Sequence, residues 1–353
     1  MIERTPAKAG VQHRGHGIGP RPSPGYAMVQ ALNHTRLPED AEGWNALIAT
    51  ARAELLLGSL AYRLEGVDVP PRVALILADA RANAEQGQVA ALWEAEMARR
   101  ALAPVGCPVV LLKGTAYAAA ALDAGRGRSI GDLDILVPRE VLADAEAALL
   151  RAGWEWVKPD PYDDAYYREH MHELPPLIHR TRDKMIDVHH TILPLTANTG
   201  RRVRPDAALL VERSVSLPNG LRVLAPADMV VHASAHLFAD GDLAGGLRNL
   251  WDIHQLLKEF GGRPDFGEEV RAAAVAHGLE PAVARARRLA AHLFGRGARL
   301  ERGDRLAVRR LLARDGWGRE TRPATRLAFY VRSHWLRMPP GMLARHLWTK
   351  ARR

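Results

Sequence analysis

The stretch GRSIGDLDILVP, Gly127 to Pro138, sets Asp132 and Asp134 at the start of an apolar run that otherwise reads as a buried strand. A carboxylate is costly to bury without a partner. Residues two apart in a strand point to the same face. Both acids therefore project together, with Leu133 and Ile135 turned the other way. That arrangement calls for a cation between them.

The segments on either side supply a frame. CPVVLLKG, ending at Gly114, reads as a short apolar strand, and TAYAAAALD from Thr115 as a helix. AGRGRSIG is a glycine-rich turn leading into the DLDILVP strand. REVLADAEAALLRAG is an amphipathic helix stopped by Gly153. WEWV reads as a third strand and is followed by a polar loop. HELPPLIHR and MIDVHHTIL then form two extended segments around the turn TRDK. This order predicts an α/β (α+β) core with a small mixed β-sheet over residues 105–195. Helical spacing on both sides predicts an N-terminal helical region over 29–104 and a C-terminal helical lobe over 196–353. Residues 1–28, rich in Gly, Pro and charge, read as a disordered basic tail, and Met28 is an alternative start.

Composition narrows the class. The chain has 353 residues, 47% hydrophobic and 25% charged, which is ordinary for a globular protein with room for more than one domain. A single cysteine, Cys107, forms no internal disulfide and suits a cytoplasmic setting as a small core residue. No apolar run approaches the roughly 18 to 20 residues of a membrane span. The N-terminus lacks the apolar segment of a secretory signal. A net charge of +9 is compatible with an anionic partner, whether nucleotide phosphate or nucleic acid.

A third carboxylate, Asp187 in MIDVHH, lies on the strand after the hairpin turn. Two acids on one strand and one on a neighbour form an oxygen cage suited to Mg²⁺, which keeps waters and binds substrate phosphates. Two ions held by Asp132, Asp134 and Asp187 would activate an attacking hydroxyl and stabilise a leaving pyrophosphate. On the phosphate side, Gly114 and Thr115 stand between a strand and a helix, where a bare backbone and free N–H groups receive phosphate. Lys113 and Arg128 would add charge near a triphosphate. There is no Walker A motif, and GRGRSIG precedes a strand rather than opening a helix.

Taken together, LLKGTAY, GRGRSIGDLDILV and MIDVHH resemble the DNA polymerase β-type nucleotidyltransferase superfamily. The likeness is greatest to its poorly characterised bacterial branch, in which a Lys-Gly element precedes an Arg-x-x-x-Asp-x-Asp strand. It spans residues 105–192 and extends loosely into HASAHLFADGDLAGGLRNLWDIHQLL. The resemblance implies transfer of a nucleoside monophosphate from an NTP, ATP by default, to an acceptor. It implies two Mg²⁺ ions, with Mn²⁺ as an alternative, on Asp132, Asp134 and Asp187, and Gly114-Thr115 in place of the family's Gly-Ser phosphate element. It also puts the HMHELP element near the active site, where His172 or Glu173 would orient the acceptor or act as a base. His189 belongs to the same group. The gap from Gly114 to Asp132 is longer than in minimal members of the superfamily.

Plainer readings stand beside these. Asp187 would pair with Lys184 or Arg182, and Arg128 with Asp132 or Asp134. Arg248 would either face the cleft and bind phosphate or acceptor, or form an i, i+4 pair with Asp252. His232 and His236, i, i+4 on a helix, read as structural, and no histidine spacing matches a known zinc motif. Two other functions fit the sequence: a catalytically weak nucleotide-binding or regulatory protein, and a basic RNA-binding module. The acceptor (small molecule, peptide, protein or RNA) and the oligomeric state are open at this level.

Overall fold

The computed structural model describes residues 22–197, 203–239, 241–295, 297–337 and 341. Four helices come first: α1 (Pro24–Leu32), α2 (Ala41–Ala53), α3 (Leu57–Arg63) and the long α4 (Pro71–Leu102). Their starts follow local chemistry. Asp40 caps α2 by accepting from the Gly43 N–H at 2.8 Å, and Pro24 and Pro71 open α1 and α4, where a missing N–H costs nothing. The expected tail over 1–28 lies outside the described residues as far as residue 21. Beyond that point α1 begins at Pro24, and Met28 is fully buried. Burial of Met28, Val29, Ala31 and Leu32 makes this segment part of the core.

The central part alternates: β1 (Val110–Leu111), α5 (Lys113–Ala119), β2 (Leu133–Leu136), α6 (Leu142–Arg151), β3 (Trp154–Trp156), α7 (Pro161–His170), β4 (Leu177–His179) and β5 (Met185–His189). The segment read as a polar loop after β3 is instead the helix α7. Asp160 caps it through the N–H groups of Tyr162 and Asp163, and Pro161 occupies its first turn. Next come α8 (Ala207–Arg213), the short strands β6 (Val215–Ser216) and β7 (Arg222–Val223), α9 (Pro226–Ala239), α10 (Gly246–Phe260), α11 (Phe266–Ala276), α12 (Glu280–Leu293), α13 (Arg302–Leu311) and α14 (Pro323–Arg337). The region after 196, expected to be mostly helical, also carries β6 and β7, which join the central sheet through a parallel pairing of β7 with β1.

The sheet is mixed, with order β3-β4-β5-β2-β1-β7-β6. β2 is central and buried throughout, as its unbroken apolar character requires. It runs antiparallel to β1 and parallel to β5, with Asp134 in register with Asp187. One continuous apolar core runs from Met28 to Phe329 and takes in residues of the sheet and of the helices before and after it in the chain. Among the described residues no helix is long and apolar enough to cross a membrane.

The long connection between Gly114 and Asp132 packs on the N-terminal helices. The Ser59 hydroxyl donates to the Arg126 carbonyl at 3.0 Å, and the Gln88 amide donates to the Gly125 carbonyl. Gly127, at φ +67°, lies so close to Gly58 that a Cβ on it would stand 2.3 Å from the Gly58 backbone. The glycines of this turn therefore serve a backbone-to-backbone contact with α3.

Candidate functional site

The parallel pairing of β2 with β5 builds the site. Asp134 and Asp187 are register partners on adjacent strands, so their side chains leave the sheet on one face. Asp132 immediately precedes β2 and, two residues before Asp134, takes the same side. Carboxylate oxygens of the three acids lie within 4.8 Å of one another. Asp132 is exposed, Asp187 half-buried and Asp134 buried.

Asp134 is held from two sides. Lys113 Nζ donates to its Oδ1 at 2.6 Å, and His189 Nε2 lies 2.9 Å from the same oxygen. Burial opposes charge on Asp134, but Lys113 and His189 outweigh it and hold the carboxyl well below the usual range. Burial likewise disfavours charge on Lys113, and Asp134 overcomes it, so the ammonium titrates above its ordinary value. Lys113 reaches this position from a left-handed backbone, φ +48°. That conformation costs a non-glycine residue on the order of 1 kcal/mol or more. Lys113 is the first residue of α5, and the adjacent Leu112 N–H bonds the Asp134 carbonyl at 3.0 Å.

Asp187 behaves oppositely. Burial, then the neighbouring charges of Asp134 and Glu173, push its carboxyl up to about 7. Three crowded carboxylates, one of them resisting ionisation, form a donor set that a divalent cation would relieve. The set is all oxygen, as Mg²⁺ prefers. Of the sequence alternatives for Asp187, Arg182 pairs instead with Glu94 at 2.8 Å, and among the described residues Asp187 forms no ion pair with Lys184.

Arg128 meets neither Asp132 nor Asp134. Its guanidinium bonds Asp252 of α10 and lies 5.9 Å from the Tyr117 ring centroid. Its Nε is buried with no hydrogen-bond partner among the described residues. A Cβ at Gly114 would stand 2.5 Å from that nitrogen. Gly114 and Thr115 are both buried, so Arg128 is the cationic cover of the Lys-Gly element. Arg248 is not on a cleft wall. It is 4% exposed, bonds Asp252 through Nε at 3.0 Å and reaches the Ser59 hydroxyl at 2.7 Å. The i, i+4 pair with Asp252 accounts for it, and α10 thereby ties α3 to Arg128.

A second group adjoins the acids. Glu173 forms a β-bridge with His189, and His172, Glu173 and His189 bring one ligand atom each within 4.8 Å. Burial and the nearby His189 and Lys113 lower the His172 pKa to about 2, so its ring is neutral. On α9, His236 falls to about 3 and His232 falls well below its ordinary value, from burial and then Lys113. These two histidines, given only a structural role by the sequence, stand within electrostatic reach of the Lys113–Asp134 pair. Their i, i+4 spacing was the available signal. Tyr167 of α7, raised by burial and then by the charges of Glu173 and Asp187, went unnoticed in the sequence.

The acids thus stand on adjacent parallel strands, beside a strand–Lys-Gly–helix element. Residues 40–295 match the model of a family described as uncharacterised nucleotidyltransferase, and the chain belongs to that family of transferases. Among solved structures it is similar to the antibiotic-resistance factor ANT(2″)-Ia, determined in solution, at 13% identity and a TM-score of 0.37. That match covers 56% of this chain and 96% of the other. No curated protein matches the chain.

Proposed function

We propose that the protein transfers a nucleoside monophosphate from an NTP, ATP by default, to a hydroxyl of an acceptor and releases pyrophosphate. The observation that carries this reading is the convergence of Asp132, Asp134 and Asp187 within 4.8 Å, inside the segment matched by the family. Asp132, Asp134 and Asp187 would hold Mg²⁺, or Mn²⁺ in its place. When bound, the ions would lower the pKa of the acceptor hydroxyl and offset triphosphate charge. The acceptor oxygen bonds the α-phosphorus as the bond to the bridging oxygen of the β-phosphate breaks, and the hydroxyl proton passes to a carboxylate or solvent. Lys113 and His189 hold Asp134 ionised and in place for this step. Arg128, anchored by Asp252 beside Gly114, supplies a guanidinium for the triphosphate. A cytoplasmic setting would supply the NTP, and the acceptor is to be sought among small molecules, peptides, proteins and RNA.

The test is incubation with each α-³²P-labelled NTP and Mg²⁺, with and without cell extract, comparing the native chain with Asp132→Ala/Asp134→Ala. Label in a product made only by the native chain is expected, and its size and its nuclease or protease sensitivity give the acceptor class. NTP binding without label in any fraction would overturn the catalytic reading in favour of a regulatory one.

A further inference from the structure

The geometry points to a second metal site beside the carboxylate triad, in which His172, Glu173 and His189 take a borderline divalent ion of the zinc class. Two imidazoles and one carboxylate are the donors such an ion selects, whereas Mg²⁺ favours the all-oxygen set next door. Sequence spacing conceals the trio, because His189 belongs to a strand remote in sequence from His172 and Glu173. The backbone assembles it. The His190 N–H donates to the His172 carbonyl at 2.9 Å, and the Leu174 N–H donates to the Val188 carbonyl at 2.9 Å, so residues 172–174 run beside β5.

The spacing of the donors supports coordination. Glu173 Oε2 lies 3.6 Å from His172 Nε2 and 3.4 Å from His189 Nε2. Charge-assisted hydrogen bonds between such groups run at about 2.7–2.9 Å. With metal–ligand bonds of about 2.0–2.1 Å, the edge of a tetrahedral site is about 3.4 Å. Both observed separations lie near that edge. Binding at His189 Nε2 displaces its hydrogen bond to Asp134 Oδ1, 2.9 Å away, the proton passing to Nδ1 or solvent, and the charge of the ion takes the place of that bond beside Asp134. Asp134 Oδ1 keeps Lys113 Nζ as its partner at 2.6 Å.

The inference does not depend on the acceptor or on turnover, and its test uses neither nucleotide nor Mg²⁺. The full chain, stripped with chelator, is titrated with Co²⁺ and followed by the visible absorption of four-coordinate cobalt. Expected are one equivalent bound, displacement by Zn²⁺, and persistence when millimolar Mg²⁺ is added afterwards. His172→Ala and, separately, Glu173→Gln should weaken Co²⁺ binding by at least the roughly 10–100-fold that loss of an outer partner costs, while Asp132→Asn leaves it in place. The inference is overturned by the absence of a cobalt band in the native chain. It is equally overturned by a band that His172→Ala and Glu173→Gln leave intact, or by one that Asp132→Asn removes, which would put the ion in the triad. Because labelling from NTP is measured separately, failure of either reading leaves the other standing.

Discussion

Replacing Asp187 with asparagine should stabilise the metal-free protein, and by an amount that depends on pH. The Asp187 carboxyl has an ordinary value of 3.8 and is pushed up to about 7 in the fold by burial, Asp134 and Glu173. Each unit of difference between the folded and unfolded chains is about 1.4 kcal/mol. The sign follows from which state holds the proton. Below about pH 4 the group is neutral in both states and costs nothing. As pH rises towards 7 the unfolded chain ionises it freely while the fold resists, so stability falls by about 1.4 kcal/mol per unit. Above 7 the penalty is constant at about 4 kcal/mol. The amide of Asp187→Asn escapes it at similar size and shape. Urea unfolding in chelator, at pH 5 and pH 8, should give this variant an advantage of under about 2 kcal/mol at the lower pH and about 4 at the higher. Saturating Mg²⁺ should erase that advantage, since the ion offsets the cost of ionising the native carboxylate. A variant no more stable than the native chain at pH 8, or an advantage that does not change with pH, would refute the account of a crowded triad.

Other outcomes follow from the contacts around the site. Lys113→Met removes the partner of a buried carboxylate and should cost about 3–5 kcal/mol in denaturant unfolding; an unchanged midpoint would show that Asp134 is compensated elsewhere. Gly114→Ala sets a methyl group against Arg128, which Asp252 restrains, and should cost about 1–3 kcal/mol and weaken NTP binding in calorimetry. Arg248→Met strands Asp252 with Arg128 alone; it should lower the melting temperature while leaving the KM for NTP near native at low temperature. A raised KM with native stability would return Arg248 to the cleft.

The acids were readable because their information is local. A two-residue repeat inside an apolar run indicates one face of a strand, and a second such run carrying Asp187 indicates its neighbour. The register that sets Asp134 against Asp187 is a tertiary fact that the sequence reading did not reach. The helix α7 was missed although its signal was present: Asp160 followed by Pro161 is a cap and a first-turn proline, and the polar composition of the segment masked them. β6 and β7 are two residues each, too short for periodicity, and the Asn219-Gly220 turn between them was their one mark. The partner of Arg128 was not readable. Asp252 lies far along the chain, and its local signal named Arg248 alone. Much the same holds for Glu173 and His189, whose contact exists only because one strand returns beside the other.

Gly58 and Gly127 touch backbone to backbone, one in a helix of the N-terminal region and the other in the turn ahead of the strand that bears Asp134. A contact of this kind has no side chain through which to adapt, so neither position has a graded series of substitutes. In a chimera that exchanged the segment before β1 between relatives, the donor would have to bring the matching turn with it, or the acids would be carried on a mispositioned strand. Inheritance of the N-terminal helices and of the loop before β2 is thus coupled.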